Sequence, residues 1–299
     1  MKILLVGNGA REHAIAKALR KSQKNPELFV YGSAKNPGIF KLSEEYYVGD
    51  LKDIAGIAEF AEINKVNFAV IGPENPLASG VTDELKKFDI PSFGPTKNLA
   101  RLESSKGFTR DLLKKYSING NPRFENFSGK GGENKGKITE FIQELGNNFV
   151  VKYDALLGGK GVKVSGDHLK SKQEGIDYAS ECLDQCGHVV IEEKLEGEEF
   201  SLISIADGQT VLDTPVIQDH KRAFKGDTGP NTGGMGTYSD TNHSLPFLNK
   251  NDVNEAHEIT VNVMKALEKE CGEKFIGVMY GGFMATKDGI KLIEYNIRF

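Results

Sequence analysis

Strands and helices take turns through the first hundred residues, and that alternation limits the fold more than any other feature of the chain. Residues 3–6, Ile-Leu-Leu-Val, form a short apolar run. Residues 11–21 follow with helical spacing, which puts Ala14, Ile15, Ala18 and Leu19 on one side. Residues 28–31 read as a second strand, 54–63 as an amphipathic helix and 68–71 as another buried strand; Pro91 and Pro95 close the unit. Strands separated by helices imply parallel pairing. The predicted class is α/β, with an N-terminal doubly wound parallel sheet.

The pattern then changes. A helix over 104–116 leads away, and 119–137, rich in Gly, Asn and Lys, reads as an exposed loop between lobes. From residue 138 the chain predicts a small α+β unit: a helix over 138–145, strands over 149–151 and 162–164 around a glycine-rich turn, a helix over 176–186 and a strand over 189–193. Further strands are expected over 200–206, 210–216, 278–284 and 291–294, with a long helix over 252–270.

The 299 residues suit two or three domains, and 42 acidic against 38 basic side chains give a net charge of −4. That balance argues against a nucleic-acid partner. The apolar run after Met1 is too short for a signal-peptide core, and no later stretch is long enough to span a bilayer, so no membrane partner is expected. Three cysteines fit a reducing cytoplasm. Cys182 and Cys186 sit four apart on a predicted helix near His188, without a fourth ligand for a metal.

The chemistry is concentrated in a few runs. Gln218 to Gly236 (QDHKRAFKGDTGPNTGGMG) carries His220, Lys221, Arg222 and Lys225 among glycines that free backbone N–H groups for an anion. Gly7-Asn8-Gly9-Ala10-Arg11-Glu12 follows a strand and opens a helix. It is a partial dinucleotide fingerprint, because Glu12 stands where the third glycine belongs, and a single phosphate suits it better. Ile71-Gly72-Pro73-Glu74 ends another strand, where Glu74 can accept from ribose hydroxyls; the alternative is a plain proline-rich turn.

Lys152 lies on an apolar strand before Gly158-Gly159-Lys160-Gly161, a pattern for a flap over nucleotide phosphates or for a simple hairpin turn; in the second case the lysine needs another partner. Residues 190–199 (VIEEKLEGEE) form a hinge able to offer backbone groups to an adenine. Glu294 and Asn296 share one face of a strand with Arg298; two oxygen ligands suit Mg2+, and the guanidinium suits a carboxylate or phosphate.

Taken together these runs resemble the phosphoribosylamine–glycine ligase (glycinamide ribonucleotide synthetase) family of the ATP-grasp superfamily. GNGAREH, IGPENPL, FGPT, SSKGFTRDLL, GGKGV, VIEE, QDHKR, DTGPNTGGMG and EYNIRF occur in the family order across the whole chain. The resemblance implies ligation of glycine to 5-phosphoribosylamine through glycyl phosphate, with ATP and Mg2+ (or Mn2+). It implies a domain over 1–103 that binds phosphoribosylamine and an ATP-grasp domain over 104–299 with a lid at about 121–192. Lys106, Lys152, Gly158, Gly159, Lys160, Gly161, Glu192, Glu193, Leu195 and Glu199 would hold ATP, and Glu294 and Asn296 the metal. Gly9, Arg11, Glu12, Gly72, Pro73, Glu74 and Asp219 would face substrate. His220, Lys221, Arg222, Asn231 and Arg298 would line the reacting centre, with Arg298 on the glycine carboxylate.

Two departures stand out. Lys152-Tyr153-Asp154-Ala155 replaces the family's Lys-Ala-Asp-Gly, and SGKGGENKGK over 128–137 looks like a rewritten link. The family pattern also continues past Phe299 into Gly-Asp-Pro-Glu and a C-terminal domain. Its absence from this sequence admits a separate C-terminal piece as a partner, or a shortened relative that binds nucleotide without turnover.

Overall fold

The structure, a computed structural model, describes residues 1–156, 161–226, 228–232 and 234–299, with Asn231 described through its backbone alone. The N-terminal part contains β1 (Lys2–Val6), α1 (Ala10–Arg20), β2 (Glu27–Gly32), α2 (Pro37–Phe40), β3 (Glu45–Val48), α3 (Ile54–Ile63), β4 (Phe68–Ile71), α4 (Glu74–Ser79), α5 (Val81–Lys86) and β5 (Ser92–Phe93). All pairings are parallel in the order β3-β2-β1-β4-β5. The chain builds outward from β1 in one direction and then, from β4, in the other. The switch point between β1 and β4 is where such sheets bind ligands. The sequence reading passes over β3 and β5: β3 is a mostly exposed edge strand without an apolar run, and β5 has two residues.

The helix expected over 104–116 is two helices, α6 (Arg101–Ser104) and α7 (Lys106–Lys115). Ser105 is extended (φ −134°, ψ 108°) and caps α7 by accepting from the Phe108 N–H at 3.1 Å.

The stretch expected to be an exposed loop over 119–137 instead holds β6 (Phe124–Ser128) and the start of α8 (Gly131–Leu145). Its glycines mislead. Gly131 lies against the neighbouring helix α9 (Lys172–Cys186), where a Cβ would stand 2.5 Å from the Ser180 carbonyl oxygen. Asp184 of α9 accepts from the Gly131 N–H at 3.0 Å, which satisfies one orphan donor of α8. With β7 (Phe149–Tyr153), β8 (Val162–Val164) and β9 (His188–Glu193), β6 completes an antiparallel sheet in the order β6-β9-β7-β8. This sheet and its two helices share a core of their own, around Ile138, Phe149, Val151 and Ile191.

The last part holds β10 (Glu198–Asp207), β11 (Val211–Asp213), β12 (Gln218–Asp219), β13 (Arg222–Phe224), β14 (Thr228–Asn231), β15 (Thr237–Tyr238), α10 (Lys250–Cys271), β16 (Ile276–Thr286) and β17 (Gly289–Asn296). The strand expected over 210–216 shortens to β11. The antiparallel order is β11-β10-β16-β17, backed by α10. Phe200 stacks on Phe283 at 5.6 Å, and Tyr295 meets Phe283 edge-on at 6.2 Å. This core is continuous with that of the N-terminal sheet.

One irregularity decides which residues of β17 reach the cleft. Gly282 pairs with Glu294 and Phe283 with Leu292, so Ile293 is a bulge residue without a cross-strand partner. Before it, Ile290 and Leu292 are buried; after it, Tyr295 and Ile297 are. The extra residue shifts the alternation by one. Glu294 and Asn296 therefore leave the core face that unbroken alternation from Leu292 would give them.

Candidate active site

A cleft of about 1530 Å³ runs between the β6-β9-β7-β8 sheet, the end of β17 and the β12–β15 ribbon. Lys106 enters from the start of α7, Lys152 from β7, Glu199 from β10, and Glu294 and Asn296 from β17. Asp219, His220, Lys221 and Arg222 line it from the ribbon, and Arg298 and Glu74 close its end. Gly161 reaches its wall, whereas Gly158, Gly159 and Lys160 lie outside the described residues.

Lys152 is buried in its apolar strand, and its partner is Glu192 on β9, 2.7 Å from its ammonium. Arg110 of α7, itself buried, grips the same carboxylate with two hydrogen bonds of 2.7 and 3.0 Å. Burial lowers the Lys152 pKa, with Glu192 opposing and Arg110 reinforcing the fall. Burial also pushes the Glu192 carboxyl up, but Arg110 and Lys152 outweigh it and hold the group below its ordinary value. Glu192 thus sits behind the cleft wall rather than on it. Next in the hinge, Glu193 accepts from the Arg123 N–H at 2.8 Å and Leu195 is half-buried, while Lys194, Gly197 and Glu198 form the wall itself.

The basic run folds back on itself as paired ribbons, β12 with β15 and β13 with β14. His220 stacks on Tyr238 at 5.8 Å, and the Arg222 guanidinium donates to the Gly229 carbonyl at 2.9 Å. Lys221 forms an ion pair with Glu199, one of the residues expected to hold ATP. Asp219 accepts from the Tyr280 hydroxyl and from Ser201. Burial first, and Asp219 second, push the Tyr280 phenol up to about 12. Asp219 is therefore a fixed carboxylate facing the cleft. The side chain of Asn231 lies outside the described residues.

At the far end, Arg298 donates to Glu74 at 3.0 Å and stands 3.6 Å from Glu103 of α6. The other Glu103 oxygen accepts from the Ile297 N–H at 2.8 Å. Beyond Glu74 a second pocket of about 420 Å³ opens at the β1/β4 switch point, lined by Gly9, Arg11, Glu12 and Pro73. Glu12 fills the turn: its carboxylate accepts from the Gly9 N–H, and its side chain occupies the space a Cβ would need at Gly7, Gly9 and Gly72. The place of a dinucleotide's pyrophosphate is thus taken by the protein's own carboxylate. Arg11 donates to the Gly72 carbonyl at 2.8 Å; burial and the nearby Arg298 lower its pKa.

Arg110, Glu103, Asp154 and Tyr280 escaped the sequence reading. Arg110 carried a signal, one helical turn after Lys106 on the face that turns inward. Asp154, two residues after Lys152, accepts from Ser105 and from the N–H groups of Lys106 and Gly107, so it joins the end of β7 to α7. Among the described residues no cluster of three or more acidic, His or Cys side chains forms a metal site, and no helix is long and apolar enough to cross a membrane.

Residues 1–103 match the profile of the phosphoribosylglycinamide synthetase N domain, and residues 104–299 that of the phosphoribosylglycinamide synthetase ATP-grasp (A) domain. The chain belongs to the phosphoribosylglycinamide synthetase family. Within it, a phosphoribosylamine–glycine ligase from Methanopyrus kandleri is 46% identical, with 100% of this chain and 67% of the relative covered. The ligase of that name from Methanocaldococcus jannaschii is 48% identical at the same coverage. Among solved structures, the phosphoribosylamine–glycine ligase of Thermotoga maritima superposes with a TM-score of 0.79 at 29% identity, over 100% of this chain and 69% of that one. The ADP complex of N5-carboxyaminoimidazole synthetase from Staphylococcus aureus gives 0.74 at 16% identity, over 100% and 70%, and shares the fold.

Proposed function

We propose that this chain joins glycine to 5-phosphoribosylamine at the expense of ATP, giving glycinamide ribonucleotide, ADP and phosphate in de novo purine synthesis. One observation carries the reading: a single cleft gathers Lys106, Lys152, Lys221, Arg222 and Arg298 beside the oxygen donors Glu294 and Asn296. Such a set suits a reaction in which an anion must approach a polyphosphate.

In this reading Lys106 and Lys152 bind the ATP phosphates and screen the repulsion met by an incoming carboxylate. Arg298 orients the glycine carboxylate, and Asp219 lines the same cleft as an acceptor for its ammonium. A carboxylate oxygen bonds to the γ-phosphorus as the bond to ADP breaks. The amine of phosphoribosylamine then attacks the acyl carbon, phosphate leaves, and the amine proton departs with it. Water must be kept from the acyl phosphate until the amine attacks.

Glu294 and Asn296 are hard oxygen donors, and among the described residues neither is engaged by a side-chain hydrogen bond, which fits a Mg2+ or Mn2+ shared with phosphates. The ion would neutralise phosphate charge. Residues 1–103 form the phosphoribosylamine domain, with Gly9, Arg11 and Glu74 toward that substrate. Residues 104–299 form the ATP-grasp domain, with 121–192 as its lid.

The test uses glycine labelled with 18O in its carboxylate. ADP release should require both glycine and phosphoribosylamine, and one labelled oxygen should appear in the phosphate. ADP release independent of either substrate, or unlabelled phosphate, would refute the assignment.

A further inference from the structure

We propose that Arg110 is a positioning residue that holds Glu192 so that the charge of Lys152 is available to a nucleotide phosphate. This rests on the reading of Lys152 as a phosphate ligand.

The geometry is a closed arrangement of buried groups. Arg110 is 2% exposed, Glu192 3% and Lys152 5%. Arg110 Nε donates to Glu192 Oε1 at 2.7 Å, and its Nη2 to Oε2 at 3.0 Å. Lys152 Nζ is 2.7 Å from that same Oε2 and donates to the Ile293 carbonyl at 3.1 Å. Arg110 donates to this carbonyl too, at 2.7 Å, and to that of Leu292 at 2.9 Å. The bulge at Ile293 is what leaves that carbonyl free to serve both cations.

Charge decides what the arrangement does. Lys152 and Glu192 alone would form a neutral pair, and an anion in the cleft would meet a lysine already matched. Arg110 adds a positive charge that stays protonated even when buried. With two cations on one carboxylate the group carries a net charge of +1, and of its members Lys152 and Arg110 touch the cleft while Glu192 does not. The surplus therefore faces the cavity. The same guanidinium also fixes the two residues just before Glu294, so one side chain sets both the phosphate cation and the strand bearing the metal ligands.

A compensation cycle separates this role from mere support. Calorimetry would measure binding of Mg-ATP and of adenosine to the purified wild type, Arg110→Met, Glu192→Gln and the double variant. Arg110→Met should weaken ATP binding about tenfold or more, the scale of one charge-assisted hydrogen bond, with adenosine binding little changed. Adding Glu192→Gln should restore ATP affinity, because Lys152 is then released from its carboxylate. A double variant no better than Arg110→Met, or equal losses for ATP and adenosine, overturns the inference. If Arg110→Met fails to fold, Arg110→Gln, which keeps hydrogen-bond donors without the charge, takes its place in the cycle. Lys152→Met distinguishes the underlying reading. If it binds ATP as well as wild type, Lys152 is no phosphate ligand and both fall; if it loses ATP while the cycle is flat, the inference alone falls.

Discussion

Arg298 Nε donates to Glu74 Oε2 at 3.0 Å, so the chain just beyond β17 is tied to the first residue of α4, the helix that follows β4. The contact links the two sheets at the point where the large cleft meets the switch-point pocket. Because a guanidinium binds a carboxylate through two parallel hydrogen bonds and an ammonium does not, Arg298→Lys is not conservative here. We expect the glycine KM to rise roughly tenfold or more, with ATP affinity held. Steady-state kinetics at varied glycine, beside an ATP titration, checks this; an unchanged glycine KM would remove Arg298 from the glycine site.

Glu103 gives the fold a pH dependence. Burial pushes its carboxyl from 4.5 up to about 7, against the pull of Arg298 and the Ile297 N–H. At low pH both the folded and unfolded chains hold the proton, and the group is neutral to stability. As pH rises from about 4.5 to about 7 the unfolded chain releases its proton first, so stability falls and then levels off, by about 3 kcal/mol in total. Glu103→Gln should abolish this slope. Urea unfolding of both proteins across the window measures it; parallel curves would show that Glu103 ionises normally.

Asp154 fastens the end of β7 to the first turn of α7 through Ser105, Lys106 and Gly107. Its removal exposes helix N–H groups that, among the described residues, no other side chain reaches. Asp154→Ala should cost about 1–2 kcal/mol and raise the KM for ATP, while Asp154→Asn, which keeps an acceptor, should lose less. Thermal melts and ATP titrations would report the two effects, and an Asn variant as impaired as the Ala variant would contradict a capping role.

Two glycines of α8 should respond in opposite directions. At Gly131 a Cβ would stand 2.5 Å from a backbone oxygen of α9, while at Gly136 nothing lies within 4 Å. Gly131→Ala should destabilise by about 1–3 kcal/mol through forced separation of the helices. Gly136→Ala should stabilise by roughly 0.5–1 kcal/mol, since alanine costs less backbone entropy in a helix. Denaturant midpoints would decide, and shifts of the same sign would refute the account.

Those glycines also show where sequence reading stops. Gly131 and Gly136 look alike in a run of Gly, Asn and Lys, yet one is a packing contact and the other an exposed helical position. Nothing local distinguishes them, because Ser180 is far away in sequence. The strands with apolar runs, β1, β2, β4 and β7, were legible for the opposite reason: their own residues carry the burial signal. At the cleft, Lys152, Glu294 and Asn296 stood out through glycine-rich surroundings and period-two spacing, and Lys106 only through the family resemblance. Arg110, Glu103 and Tyr280 did not. Each acts through a partner on a distant element, and the pairing exists only after folding.

The bulge at Ile293 makes the cleft unusually intolerant of changes in length. Most of β17 would accept a conservative substitution, since Leu292 and Tyr295 need only fill space. Loss of Ile293 would remove the bulge; Leu292, Glu294 and Tyr295 would keep their present faces, but both buried cations would be deprived of their shared carbonyl. A protein so altered would retain nearly every side chain of the site and lose the arrangement that makes them one. Natural variation in this strand should therefore run to exchanges of residue type, with insertions and deletions confined to the turn at 287–288.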